Sequence, residues 1–214
     1  MLSECEEHGY FRGETCPVCD SKGKFLMNER ELNSLSRIIA GALRHFPEKL
    51  GLMMDGHGWV DIESLIEAIG TGRSGFNWLR PHHVQALVET DPRGRYQVDG
   101  GMVRATYGHS IEVNLDDLPE ADLDEYFYPV TEEEADMIVE GGLHPTDRRK
   151  VHLSGNIQKA VEAGKVRTDE PHILKIDGKK AKKDGLKIYH AGKDVFITDS
   201  IDAKYISKVK KTKK

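Results

Sequence analysis

Apolar positions along the chain change period several times, and each change marks an element. From Asn28, the residues Leu32, Leu35, Ile38, Ile39, Ala42 and Leu43 recur at the i, i+3, i+4, i+7 spacing of one helical face. Asn28 is the natural N-cap, with Glu29 and Glu31 in the first turn, where acidic side chains suit the positive end of the helix dipole. Arg44 and His45 close this helix ahead of Pro47. A short strand through Trp59 and Val60 follows, then a second helix capped by Asp61, with Leu65, Ile66 and Ile69 on its inner face. A third helix begins near Arg80-Pro81. Alternation then takes over: Tyr96 and Val98, an Asp-Gly-Gly turn, then Met102, Val103 and Ala105 predict a β-hairpin. Three helices and a hairpin are the order of a winged helix, often a nucleic-acid module, and equally of a generic α+β domain.

The acidic stretch "LDDLPEADLDEY" reads as a linker or domain junction. Beyond it come a strand "YFYPV", a helix "TEEEADMIVEGG", a strand "KVHLS", a helix "GNIQKAVEAGK", a strand "HILKI" and a hairpin "LKIYHAGKDVFIT". This half is strand-rich with short helices. It has no P-loop, no Rossmann glycine pattern and no internal repeat. The closing "KVKKTKK", residues 208–214, is expected to be a disordered basic tail.

Composition narrows the class only modestly. The 214 residues allow one large domain or two small ones. Apolar residues make up 38 % and charged residues 31 %, an ordinary soluble balance. No apolar run approaches the roughly 20 residues of a membrane span. "MLSECEEHGY" lacks both the basic start and the apolar core of a signal peptide, so a cytoplasmic protein is expected. The net charge is −5, yet positive charge gathers late, in "GKKAKKDGLK" and "KVKKTKK". A local basic groove is compatible with that total.

The cysteines change the picture more. All three precede residue 20, and an odd number in such a chain argues against a disulfide framework. "CEEHGYFRGETCPVCD" reads C-x2-H-x7-C-x2-C. Cys5, His8, Cys16 and Cys19 therefore form two ligand pairs able to close over a tetrahedral zinc ion. Four protein ligands leave no place for water, so the metal is expected to be structural. Free thiols beside a surface histidine are the other reading.

Three further spots gather residues suited to phosphate: Arg44-His45 at a helix end, Arg104 before Gly108-His109-Ser110, and Arg148-Arg149 before Val151-His152-Leu153-Ser154. No spacing rule links them. The blocks "LSRIIAGALRHFPEKLGLMMDGHGWVDIESLI", "VRATYGHSIEV", "GGLHPTDRRKVHLS" and "GLKIYHAGKDVFITDSIDAKYI" resemble the RNA 2′-phosphotransferases (KptA-like), from about Leu35 to Ile206.

The resemblance implies an α+β chain. Residues 1–27, outside the resemblance, are read as an added zinc knuckle; 28–115 is implied to be a winged-helix RNA-binding lobe, 116–207 a β-rich ADP-ribosyltransferase-like lobe for NAD⁺, and 208–214 is expected to be a basic tail. It implies removal of an internal 2′-phosphate from RNA, such as spliced tRNA. The RNA phosphate displaces nicotinamide from NAD⁺, giving an ADP-ribosylated RNA intermediate. ADP-ribose 1″,2″-cyclic phosphate is then released. The implied catalytic set is Arg44, His45, Arg104 and Arg148, with Arg149 as the fallback for the last. Gly108, His109, Ser110, Tyr128, Thr131, His152 and Ser154 are the implied NAD⁺ contacts. A monomer without a membrane partner and without a catalytic metal is expected. Two departures stand out. Tyr128-Pro129-Val130-Thr131 replaces the usual Tyr-His-Gly-Thr, and Tyr107 stands where a glutamine usually precedes Gly-His-Ser. A non-catalytic nucleic-acid-binding protein, or an ADP-ribosyltransferase acting on another nucleic-acid phosphate, are the alternatives.

Overall fold

The computed structural model describes residues 1–72 and 75–209, with mixed helix and sheet. The chain divides into two compact units, Met1–Asn114 and Leu115–Lys214.

The first unit starts with three short strands, β1 (Leu2–Cys5), β2 (Gly9–Arg12) and β3 (Lys24–Met27), in the antiparallel order β2-β1-β3. Next come α1 (Glu29–Arg44), a 3₁₀ turn at Pro47–Leu50, β4 (Val60–Asp61), α2 (Ile62–Gly72), α3 (Pro81–Glu89) and the hairpin β5 (Tyr96–Asp99) and β6 (Met102–Ala105). A second sheet has the order β4-β6-β5.

Helix α1 forms where the apolar period predicts it. Asn28 Oδ1 accepts the Glu31 N–H, and the Glu31 carboxylate accepts the Asn28 N–H, a reciprocal capping box. All six of its predicted inward residues are buried. Asp61 caps α2 through the Ser64 N–H at 2.8 Å. The predicted strand at Trp59 and Val60 is shifted: it covers Val60–Asp61. Trp59 belongs instead to a tight turn, its N–H donating to Asp55 Oδ1 and its carbonyl accepting the Asp55 N–H.

The N-terminal strands are not a loose appendage. Leu2 and Met27 are fully buried in the same core as Leu35, Ile39, Leu43, Leu65 and Leu87. Leu2, Leu26 and Met27 thus belong to the core of the unit, while Phe11 clusters separately with Cys5 and Cys16.

The second unit holds β7 (Glu125–Val130), α4 (Glu132–Gly141), β8 (Val151–Ser154), α5 (Ile157–Gly164), β9 (His172–Asp177), α6 (Gly178–Lys183), β10 (Tyr189–Gly192), β11 (Val195–Thr198) and β12 (Ile206–Lys208). Its sheet is antiparallel throughout, in the order β10-β11-β8-β7-β9-β12. The core gathers Tyr126, Val130, Leu153, Leu174, Ile176 and Phe196. Pro129 sits where β7 has run past β8, whose pairing is confined to Phe127 and Ser154, so it occupies a position like that on an edge strand. A Cβ on Gly164 would lie 2.7 Å from Pro129 Cβ and 2.5 Å from Pro171 Cβ, so α5 packs closely there only because residue 164 is glycine. Lys208 ends β12 and the Val209 N–H donates to the Ile173 carbonyl, so the sheet takes the first two residues of the expected tail. Residues 210–214 lie outside the described residues.

Candidate functional site

In the first unit the end of α1 meets the loop after β6. The Ser110 N–H donates to the Arg44 carbonyl at 3.0 Å, and His45 Nδ1 lies 2.9 Å from Ser110 Oγ. Gly108 has φ +84°, and a Cβ there would stand 3.2 Å from both Cζ and Nη1 of Arg44. Glycine thus serves twice: it adopts the left-handed backbone, and it lets the guanidinium lie against the chain. Tyr107 and Tyr96 flank the same cation, their ring centroids 4.9 Å and 5.6 Å from Arg44 Cζ. Burial pushes both phenols up, against the pull of nearby arginines, so both stay neutral at physiological pH. Tyr107, the departure from the usual glutamine, therefore covers Arg44.

Arg104 lies on β6 and is only 3 % exposed. The hairpin register sets Gln97 directly across from it. Arg104 Nε and Nη2 donate to Gln97 Oε1 at 2.9 Å and 2.8 Å, and Nη1 donates to the His57 carbonyl at 3.3 Å. The Trp59 ring centroid is 4.5 Å from Arg104 Cζ. These contacts fix the plane of the guanidinium. His109 is 4 % exposed. The structure thus brings Arg44, His45, Gly108 and Ser110 into contact and locks Arg104 on the neighbouring strand. Sequence reasoning missed Gln97 and Trp59; only the cross-strand register and the turn at Asp55 reveal them.

The remaining predicted positions belong to the second unit. Arg148 is half-buried in the loop before β8, its Nε 3.6 Å from Asp147 Oδ2, while Arg149 is exposed. On β8, Val151 and Leu153 are buried in the core and His152 and Ser154 alternate with them onto the other face. Tyr128 is half-buried on β7, and burial raises its phenol. Thr131 Oγ1 accepts the Glu134 N–H as the N-cap of α4, and its side chain also hydrogen-bonds the Glu133 carboxylate.

The cysteine cluster forms within the N-terminal strands of the first unit. Cys5 Sγ is 3.5 Å from His8 Nδ1 and 3.7 Å from Cys19 Sγ, and Cys16 Sγ is 3.7 Å from His8 Nδ1. All four candidate ligand atoms lie within 4.8 Å of one another. Zinc–ligand bonds of about 2.0–2.3 Å in a tetrahedron give ligand–ligand edges of roughly 3.5–3.8 Å. The donor set and its spacing therefore fit zinc. Hydrogen bonds from Ser21 hold the Cys19 thiol down at about 6, so it offers a thiolate at neutral pH. Among the described residues, no helix is long and apolar enough to cross a membrane.

The family model described as "RNA 2'-phosphotransferase, Tpt1 / KptA family" matches residues 29–200. The chain belongs to this family. It is 42 % identical over 204 residues to the probable RNA 2'-phosphotransferase 1 of Archaeoglobus fulgidus, covering 95 % of this chain and 93 % of that one. It is 39 % identical to the probable RNA 2'-phosphotransferase of Methanosarcina barkeri (96 % and 98 % covered) and 41 % identical to that of Thermoplasma acidophilum (93 % and 85 % covered). The first match leaves 5 % of this chain uncovered, while the family model begins only at residue 29, so the match enters the N-terminal segment. Part of that segment is thus shared with this relative.

Proposed function

We propose that the protein removes an internal 2′-phosphate from RNA, with spliced tRNA as its substrate class, by transferring the phosphate to NAD⁺ in the cytoplasm. The observation that carries this reading is the contact between two motifs more than sixty residues apart: Arg44-His45 packs on Gly108 and bonds Ser110. A 2′-phosphomonoester carries nearly two negative charges, and guanidinium forks match its oxygens. In the first step a phosphate oxygen attacks the anomeric carbon of the nicotinamide ribose. The bond to nicotinamide breaks, and the base leaves neutral. In the second, the adjacent ribose hydroxyl attacks phosphorus and the bond to the RNA 2′-oxygen breaks, with the hydroxyl proton passing to that oxygen. Arg44, Arg104 and Arg148 spread the charge gathering on the phosphoryl group, and His45 moves the proton or orients the phosphate. Gly108, His109, Ser110, Tyr128, Thr131, His152 and Ser154 contact NAD⁺.

In this reading the helices and hairpin of the first unit form a winged-helix lobe for RNA, supported by the order α1-β4-α2-α3-β5-β6. The antiparallel sheet of the second unit forms an ADP-ribosyltransferase-like lobe. Cys5, His8, Cys16 and Cys19 hold one structural zinc, and the protein acts as a monomer.

The test offers NAD⁺ with 2′-phosphorylated and 5′-phosphorylated oligonucleotides side by side. Loss of phosphate from the 2′ substrate alone, absent in Arg44→Ala, agrees with the proposal. Reaction at the 5′ end alone assigns the protein to another phosphate, and binding without any reaction assigns it to recognition.

A further inference from the structure

Phe46 follows the Arg44-His45 pair and has no place in the apolar interior. It is 47 % exposed, and it is not among the apolar side chains packed on the first unit's core, although Leu50 and Met54 a few residues later are. Its position is nonetheless fixed. The Phe46 N–H donates to the Gly41 carbonyl at 2.9 Å, continuing the end of α1, and its own carbonyl accepts the Lys49 N–H at 3.2 Å. Pro47 locks the next backbone angle, and Leu52 N–H closes the turn onto the Pro47 carbonyl. The ring lies 5.7 Å from the His45 imidazole, tilted by 50°. Lys49 Nζ stands 4.0 Å from the ring centroid.

Lys49 lies over the ring, and an exposed aromatic ring on a rigid turn paired with a cation is the arrangement by which proteins hold an unstacked nucleobase. Holding a large apolar surface in water brings no gain to folding, and the ring touches a residue proposed to handle the phosphate. We infer that Phe46 is a stacking platform for the base of a nucleotide flanking the RNA 2′-phosphate, and that Lys49 contacts that nucleotide's backbone phosphate. The inference rests on the proposed phosphotransferase reading. A single-stranded or bulged substrate follows from it, because a paired base cannot leave its stack without cost.

The experiment measures Kd by fluorescence anisotropy for a labelled oligonucleotide bearing one internal 2′-phosphate. Versions made abasic at either flanking position are measured beside it. Phe46→Ala is expected to weaken binding about five- to 150-fold, the range of one lost base stack. Phe46→Trp is expected to restore it. With the abasic RNA on the stacked side, wild type and Phe46→Ala should bind alike. Equal Kd values for wild type and Phe46→Ala on the intact RNA would overturn the inference, as would a Phe46→Ala penalty that persists undiminished on both abasic RNAs. Turnover of the same RNA is followed in parallel. A Phe46 effect on Kd without turnover removes the enzymatic reading and leaves the platform. Turnover with an unchanged Kd does the reverse.

Discussion

Gly108 carries two constraints at once, a left-handed backbone and a guanidinium 3.2 Å from where a Cβ would stand. Gly108→Ala should lower stability by about 1–2 kcal/mol through the backbone alone. It should also displace Arg44 and depress turnover far more than that loss explains. Urea denaturation and activity measured on the same sample separate the two effects. Gln97 is the second single-residue test. Its one carbonyl oxygen receives two N–H groups from a buried cation, so Gln97→Leu should cost about 1.5–3 kcal/mol, the range for a hydrogen bond to a charged group. A melting curve that does not move would mean that Arg104 has other anchors of equal strength. The types Arg, His, Gly and Ser are legible in the sequence as phosphate chemistry. That Gln97 orients Arg104 is not, because it depends on the register of two strands rather than on any spacing.

Among the elements, α3 offers a pH test. His83 Nδ1 accepts the Arg80 N–H at 3.0 Å at the start of this helix, which requires a neutral ring nitrogen. Burial, aided by His82, pushes the His83 imidazole down to about 4. The unfolded chain, with an ordinary value near 6.5, binds more protons between those limits, so stability rises with pH there. The contribution of His83 is complete above about pH 6.5 and is lost as pH falls toward 4. Replacing His83 by Gln keeps an acceptor but removes the titration, so the slope of stability against pH in that window should flatten in denaturation series. The zinc knuckle is also an element-level claim. Purified protein should hold about one zinc per chain, and Cys16→Ser should lose it. Because Leu2 and Met27 tie these strands to the core around α1, metal removal should lower the melting temperature by roughly 5–15 °C rather than free the segment alone. A metal-free protein with an unchanged melt would contradict this. Legibility at this scale follows signal strength. α1 announces itself through four turns of apolar period and a capping box. The strands β1–β3 have four residues each and no alternation to read, and "GKKAKK" in α6 has Ala181 as its single apolar residue.

For the whole molecule, two units of similar size each carry their own core, and the family match runs through both. The sequence blocks make the family legible, since they hold residue types in order; the partners that fix each side chain come only with folding. Arg148 in the second unit tests whether the activity needs both. Arg148→Ala should abolish phosphate transfer while each unit's fold, followed by circular dichroism, stays intact, and Arg149→Ala should leave most of it. The most direct measurement of the central claim counts products. Wild-type protein is incubated with NAD⁺ and an RNA bearing one internal 2′-phosphate, and released nicotinamide and dephosphorylated RNA are quantified by mass spectrometry. One nicotinamide is expected for each phosphate lost, and neither product without Arg44. Phosphate loss in the absence of NAD⁺, or no nicotinamide at saturating NAD⁺ from protein that binds the RNA, would contradict the claim.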